Sequence, residues 1–248
     1  MDEPDPLLLE RRDDRIVVRL NRPHKRNAID LATVQALHAV CAELEAQPRT
    51  LIIAGSDGVF AAGADIAQLR ARRAEDARRG INAAVFIRIH ELPMPVIAAI
   101  DGYALGGGAE LAYAADIRIA TPALRIGNPE TGLGIMAAAG ATWRLPEIVG
   151  EAMAAEMLLT GRLLTADEAM RAGLVTAIHP AEDLIDAAHA LADRIGANDA
   201  LATMHTKRAL HAPPSQHPTI DHELQAELFE SPEKMRRMTE FLAQRGRR

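Results

Sequence analysis

Aromatic side chains are scarce in this chain: one Trp, two Tyr and four Phe amount to 3% of 248 residues. Any core must therefore be filled mainly by Ala, Leu, Ile, Val and Met. A single cysteine, Cys41, excludes an internal disulfide and a thiolate-based zinc cluster. A basic excess is missing too, since 28 Lys and Arg stand against 34 Asp and Glu, a net charge of −6. Nucleic-acid binders usually show the opposite sign, and none is expected as a partner. No apolar run approaches the roughly 18 residues of a membrane-spanning helix. The acidic start, Met1 to Pro6, lacks the basic and apolar regions of a secretory signal. These absences lead us to expect a soluble, cytoplasmic chain. Serine is confined to Ser56, Ser215 and Ser231, with no G-x-S-x-G elbow, which disfavours a serine hydrolase. His90-Glu91 and His222-Glu223 do not continue into H-E-x-x-H, and no metal is expected.

What is present is ordinary for a globular protein with a sizeable core: 48% apolar and 25% charged residues, in a length suited to one large domain. Arg15–Leu20 and Thr50–Ala54 are apolar, β-branched runs that predict strands, as do Pro95–Ile100 and Ile117–Ala120. Leu31, Val34, Leu37, Cys41 and Leu44 recur near a 3.6-residue period and predict a helix, with Asp30 as its N-cap and Pro48 as its stop. Further helices are expected over Ile81–His90, Ala109–Ala115, Glu147–Leu159, Ala166–Ala172, Ala181–Ile195 and Asn198–Leu210, with a last one starting near Pro232. Alternating strands and helices favour α/β architecture. No 20–50-residue period repeats with recognisable identity.

Three segments carry candidate chemistry. Gly106-Gly107-Gly108 joins a strand to a helix, where free N–H groups and the helix dipole favour negative charge. Leu111 breaks a dinucleotide fingerprint, and no Lys-Ser/Thr pair completes a phosphate loop. Glu110 follows within the first helical turn. Glu130, in Gly127-Asn128-Pro129-Glu130, is a second acid beside a glycine-rich turn. A lone Glu there is usually solvated, but two close carboxyls resist double ionisation, so one can accept a proton while the other donates. Ala61–Ile66 is too small-sided for side-chain chemistry apart from Asp65. Its value would lie in backbone N–H groups able to bind a developing oxyanion.

Together these segments are specific. With Leu20-Asn21-Arg22-Pro23, Asn27-Ala28, Phe60–Ile66, Gly102–Leu111, Asn128-Pro129-Glu130, Leu159-Thr160-Gly161 and Gly173-Leu174-Val175, the chain resembles the enoyl-CoA hydratase/isomerase family, the crotonase superfamily, over nearly its whole length. The resemblance implies an α/β spiral of β-β-α units over residues 1–195 that holds the acyl-CoA site. Residues 196–248 then form a helical region for assembly into trimers or dimers of trimers. It implies that the amides of Ala64 and Gly107 form an oxyanion hole and that Glu110 and Glu130 are the two catalytic acids. Hydrating members keep both acids, whereas typical double-bond isomerases lack the first. The implied enzyme is a lyase of fatty-acid metabolism that adds water syn across a trans-2-enoyl-CoA, with Glu110 chiefly the base at C3 and Glu130 exchanging the proton at C2. CoA is part of its substrate and no separate cofactor is implied.

By the same resemblance, Lys25, Ala62, Asp65, Ile66, Tyr103, Ala138 and Trp143 are candidate substrate or CoA contacts. Arg70, Arg72 and Arg73, or Lys234-Met235-Arg236-Arg237, could approach the CoA phosphates; a solvated helix face is the plainer reading of each. Ala138 stands where many hydratases have a glycine near the catalytic water, and Trp143 replaces a smaller polar residue. Isomerase or lyase chemistry on another acyl-CoA, and a non-catalytic acyl-CoA-binding role, stay open at this point.

Overall fold

The computed structural model describes residues 5–245, so most of the acidic start lies outside the described residues. Among the described residues, ten strands form two sheets. The larger has the order β1-β2-β3-β5-β7-β10. It contains Leu7–Arg11 (β1), Arg15–Leu20 (β2), Thr50–Ala54 (β3), Val96–Ile100 (β5), Ile117–Ala120 (β7) and Ala177–Ile178 (β10). All neighbours are parallel except β1 and β2. Strands β3 and β5 are buried on both faces, which is why they read as unbroken apolar runs.

The smaller sheet, β4-β6-β8-β9, is built from Val59–Ala61 (β4), Tyr103–Leu105 (β6), Arg125–Gly127 (β8) and Leu164–Thr165 (β9). Three times the chain makes a strand in the large sheet, then one in the small sheet, then helical turns. These passes are β3-β4, β5-β6 and β7-β8. This is the α/β spiral of β-β-α units. The repeat lives in the backbone and leaves no repeated sequence.

Helix α1 (Leu31–Ala46) starts at Asp30, whose carboxylate accepts from the Thr33 N–H at 2.8 Å, and it buries Val34, Leu37, Cys41 and Leu44. After β4 come α2 (Ile66–Ala71), α3 (Ala74–Arg78) and α4 (Ile81–His90), and after β6 comes α5 (Gly107–Tyr113). The last of these begins two residues before the expected Ala109, because Gly106 makes the turn and Gly107 is already helical. The helix expected over Glu147–Leu159 is two, α6 (Ala141–Val149) and α7 (Glu151–Thr160). Gly150, at φ +80°, breaks them apart. Helices α8 (Ala166–Arg171) and α9 (Leu184–Gly196) follow.

The chain divides into two compact units, one through Asp193 and one from Arg194. The second contains α10 (Ala200–Leu210), α11 (Thr219–Phe229) and α12 (Pro232–Arg245). Met235, Met238, Phe241 and Leu242 are exposed on α12. No described helix is long and apolar enough to cross a membrane.

Candidate active site

Strands β4, β6 and β8 are parallel neighbours, so their carboxyl ends lie along one edge of the small sheet. Ligand sites in parallel sheets favour that edge. Each strand runs straight into one piece of the site: β4 into Ala62–Asp65, β6 into Gly106-Gly107, and β8 into Asn128-Pro129-Glu130. Ala62–Ala64, Gly106-Gly107 and Pro129-Glu130 from these pieces line a cavity of about 710 Å³, shared with α2–α4 and the segment Leu133–Ala139.

The Ala62–Asp65 segment is held by buried polar ties. Asn27 donates from Nδ2 to the carbonyls of Ser56 (3.1 Å) and Val59 (2.7 Å), and Ala62 N–H donates to Arg26 O. Arg22, also buried, pairs with Asp30 at 3.1 Å and Asp65 at 3.5 Å. Ala64 forms a parallel bridge with Ile29 that uses the Gly63 carbonyl and the Asp65 N–H. Alternation along an extended chain then turns the intervening Ala64 N–H the other way. Among the described residues that N–H donates to no protein group. Gly107 is the first residue of α5, whose opening N–H groups have no intrahelical acceptor. A Cβ built on Gly107 would lie 3.5 Å from the Ala64 nitrogen, so the two free amides are close neighbours.

Glu110 sits in the first turn of α5, a helix buried along its whole length. Such an approach needs glycine at Gly108, where a Cβ would fall 2.3 Å from Ala61 O. Oε1 of Glu110 accepts from the N–H groups of Ala139 (2.7 Å) and Ala141 (3.2 Å). Burial pushes the carboxyl up to about 7; the two amides pull it down and the Glu130 charge adds to the rise. Glu130 is half-buried. Its Oε1 takes a long contact, 3.4 Å, from Asn128 Nδ2, and its Oε2 is buried without a hydrogen-bond partner among the described residues. Burial raises this carboxyl too. Asn128 is oriented by the fully buried Tyr113, whose hydroxyl donates to Oδ1 at 3.1 Å. At Gly106, φ 51° and ψ −123° suit glycine, and a Cβ there would stand 2.9 Å from Glu130 Oε1.

The structure brings Ala62, Ala64, Ile66, Gly107, Glu110, Glu130 and Ala138 into one cavity. Lys25, Asp65, Tyr103 and Trp143 do not line it. Lys25 is exposed on the 3₁₀ turn Pro23–Lys25, Tyr103 is half-exposed on β6, and Trp143 is exposed on α6. Asp65 caps α2, accepting from Ala67 and Gln68, and backbone N–H bonding, Gln68 first, holds its carboxyl below the usual range. Arg72 and Arg73 reach the cavity wall, whereas Arg70 is exposed outside it. Arg236 and Arg237 pair with Glu233, and Lys234 donates to Phe229 O. Tyr113, Asn128 and Asn82 were not singled out by sequence, although Asn128 lies inside a motif. Asn82 did leave a trace: it is the one polar member of an i, i+3, i+4, i+7 buried stripe with Val85, Phe86 and Ile89. Among the described residues, no group of three or more His, Cys, Asp or Glu is placed to hold a metal ion.

Two free amides beside two raised carboxyls can grip a carbonyl oxygen and move a proton at the adjoining carbons. Comparison with known proteins points the same way. The family model for enoyl-CoA hydratase/isomerase matches residues 11–246. A short-chain-enoyl-CoA hydratase of Clostridium acetobutylicum is 38% identical over 214 residues, 84% of this chain and 82% of that protein. A crotonyl-CoA hydratase of Syntrophomonas wolfei is 39% identical over 208 residues, 82% of this chain and 80% of that protein. The crystal structure of an enoyl-CoA hydratase from Bacillus anthracis superposes with a TM-score of 0.91 at 28% identity, covering 96% of each chain.

Proposed function

The chain belongs to the enoyl-CoA hydratase/isomerase family, and within it we propose that the chain is an enoyl-CoA hydratase, adding water reversibly to a trans-2-enoyl-CoA to give a 3-hydroxyacyl-CoA. The observation that carries this reading is that Glu110 and Glu130 line one cavity with the free amides of Ala64 and Gly107.

The thioester oxygen accepts from the Ala64 and Gly107 N–H groups, which stabilise the enolate-like charge that builds as water adds. Each donor of this kind is worth on the order of 3–4 kcal/mol at the transition state. Glu110 and Glu130 hold one water over the alkene. Its oxygen bonds to C3 and its proton passes to Glu110, while Glu130 delivers a proton to C2 on the same face. Two features suit the division. Ala139 and Ala141 stabilise an ionised Glu110 through Oε1, and the partnerless Oε2 of Glu130 is free to carry a proton. Burial raises both carboxyls, and the Glu130 charge adds to the rise at Glu110, so the two titrations are linked.

Retention of Glu110 favours hydration over double-bond isomerisation. Incubation of the chain with crotonyl-CoA and chromatography of the products tests this: 3-hydroxybutyryl-CoA is expected. A shifted alkene without hydroxylated product would select an isomerase, and binding without turnover a non-catalytic relative.

The proposal extends to assembly and setting. The exposed apolar residues of α12 support self-association as a trimer or a pair of trimers, and a stable monomer in light scattering would contradict it. A cytoplasmic setting suits a chain whose one cysteine is buried and free.

A further inference from the structure

Asn82 lies on α4, is 8% exposed, and faces the cavity. Its Oδ1 accepts from the Arg72 guanidinium at 3.2 Å. Arginine can only donate, so the atom facing Arg72 must be the amide oxygen and the other atom must be the NH₂. The Nδ2 is thereby turned away from Arg72, and among the described residues it donates to no protein group. It also has a defined neighbour. The point where a Gly107 Cβ would stand is 3.7 Å from Asn82 Nδ2 and 3.5 Å from Ala64 N. Three nitrogen donors therefore ring one short stretch of cavity wall: two main-chain N–H groups and one side-chain amide. That nitrogen opens onto the cavity, and it is the polar exception on a buried stripe whose other members are Val85, Phe86 and Ile89. Arg72 is half-buried, and among the described residues the one hydrogen bond of its side chain goes to Asn82. Asp76, which also reaches the wall, has Oδ2 occupied by the Arg73 N–H at 2.9 Å.

We propose that Asn82 is a further catalytic residue, a third donor to the thioester oxygen beside Ala64 and Gly107, and that Arg72 is a positioning residue that holds its amide. The proposal rests on the hydratase reading and deepens it. A third donor strengthens as charge builds on the oxygen, so its loss lowers kcat more than it raises KM. It also polarises the ground-state carbonyl, which a purely structural side chain does not.

The test uses butyryl-CoA, which carries the thioester but no alkene, and isotope-edited infrared spectroscopy of its bound carbonyl. Wild-type protein is expected to lower the C=O stretching frequency. Asn82→Leu, which fills the same space without a donor, is expected to return part of that shift and to lower kcat for crotonyl-CoA by about 10²-fold, with KM little changed. Arg72→Met is expected to give a smaller change of the same kind. A full wild-type carbonyl shift in Asn82→Leu overturns the proposal. Should Asn82→Leu fail to fold, as judged by its melting curve, the half-exposed Arg72→Met decides: an unchanged carbonyl shift overturns the proposal and a partial loss supports it. Wild-type protein that neither hydrates crotonyl-CoA nor shifts the butyryl-CoA carbonyl would remove the hydratase reading itself, a distinguishable result.

Discussion

The two sides of the cavity are built from different materials. On one side Ala64 and Gly107 present main-chain N–H groups, held by remote buried ties such as Asn27 to the Ser56 and Val59 carbonyls and Arg22 to Asp30 and Asp65. On the other, Glu110 and Glu130 present side chains, each raised in pKa by burial. The main-chain side is rigid, and ordinary substitution leaves its N–H groups in place. The side-chain side is adjustable, and a single atom changed in a carboxyl changes its chemistry. A hydratase needs both: fixed donors where charge appears and titratable groups where protons move.

The side-chain wall gives the largest expected effect. Glu110→Gln and Glu130→Gln keep shape and lose proton transfer, and each is expected to lower crotonyl-CoA turnover by about 10²–10⁴-fold. On the main-chain wall, proline can delete the Gly107 N–H, because the first helical position tolerates it. Gly107→Pro is expected to lose about 10²–10³-fold in kcat. Gly107→Ala keeps the N–H but sets a methyl 3.5 Å from Ala64 N and 3.7 Å from Asn82 Nδ2, beside the place the thioester oxygen takes, so it is expected to lose activity by crowding alone. A Gly107→Pro loss no larger than that of Gly107→Ala would mean that crowding at Gly107, and not its donor, matters.

Smaller effects sharpen how the acids are tuned. Tyr113→Phe strands the buried Asn128 Oδ1, which is expected to lower stability by about 1–3 kcal/mol and turnover severalfold, measured by denaturant unfolding and steady-state rates. Glu110 titrates near 7 when folded against an ordinary value of 4.5, so the folded protein binds the proton more tightly than the unfolded chain. That contribution is full below about pH 4.5 and is lost as pH rises through 7, on the order of 3 kcal/mol in all. Glu110→Gln is therefore expected to gain stability over wild type as pH rises from about 5 to 7 and to level off above that. A pH-independent difference would show that Glu110 ionises freely.

Legibility followed length and burial. Arg15–Leu20 and Thr50–Ala54 are runs of six and five residues, mostly apolar or β-branched, enough for a pattern, and both are strands of the large sheet. The strands that deliver the site, β4, β6 and β8, have three residues each, too few for any period. The Ala, Gly and Glu residues at their ends stood out only as an ordered set of motifs, since no single one departs from an ordinary turn. Environment was beyond reach in a different way. Nothing local says that Glu110 will be 3% exposed with two amides on one oxygen, because Ala139 and Ala141 lie about thirty residues away. Asp65 shows the converse, a motif residue whose carboxylate caps a helix and pairs with Arg22 while its backbone neighbour Ala64 faces the cavity.

If Glu110 and Glu130 serve one water, they act as a unit, and the double variant Glu110→Gln/Glu130→Gln tests that most directly. Its crotonyl-CoA hydration rate, set beside those of the two single variants, is expected to lie close to the slower single, because losing either acid already disables the shared water. Losses that multiply in the double variant, or near-wild-type rates in both singles, would contradict a shared water.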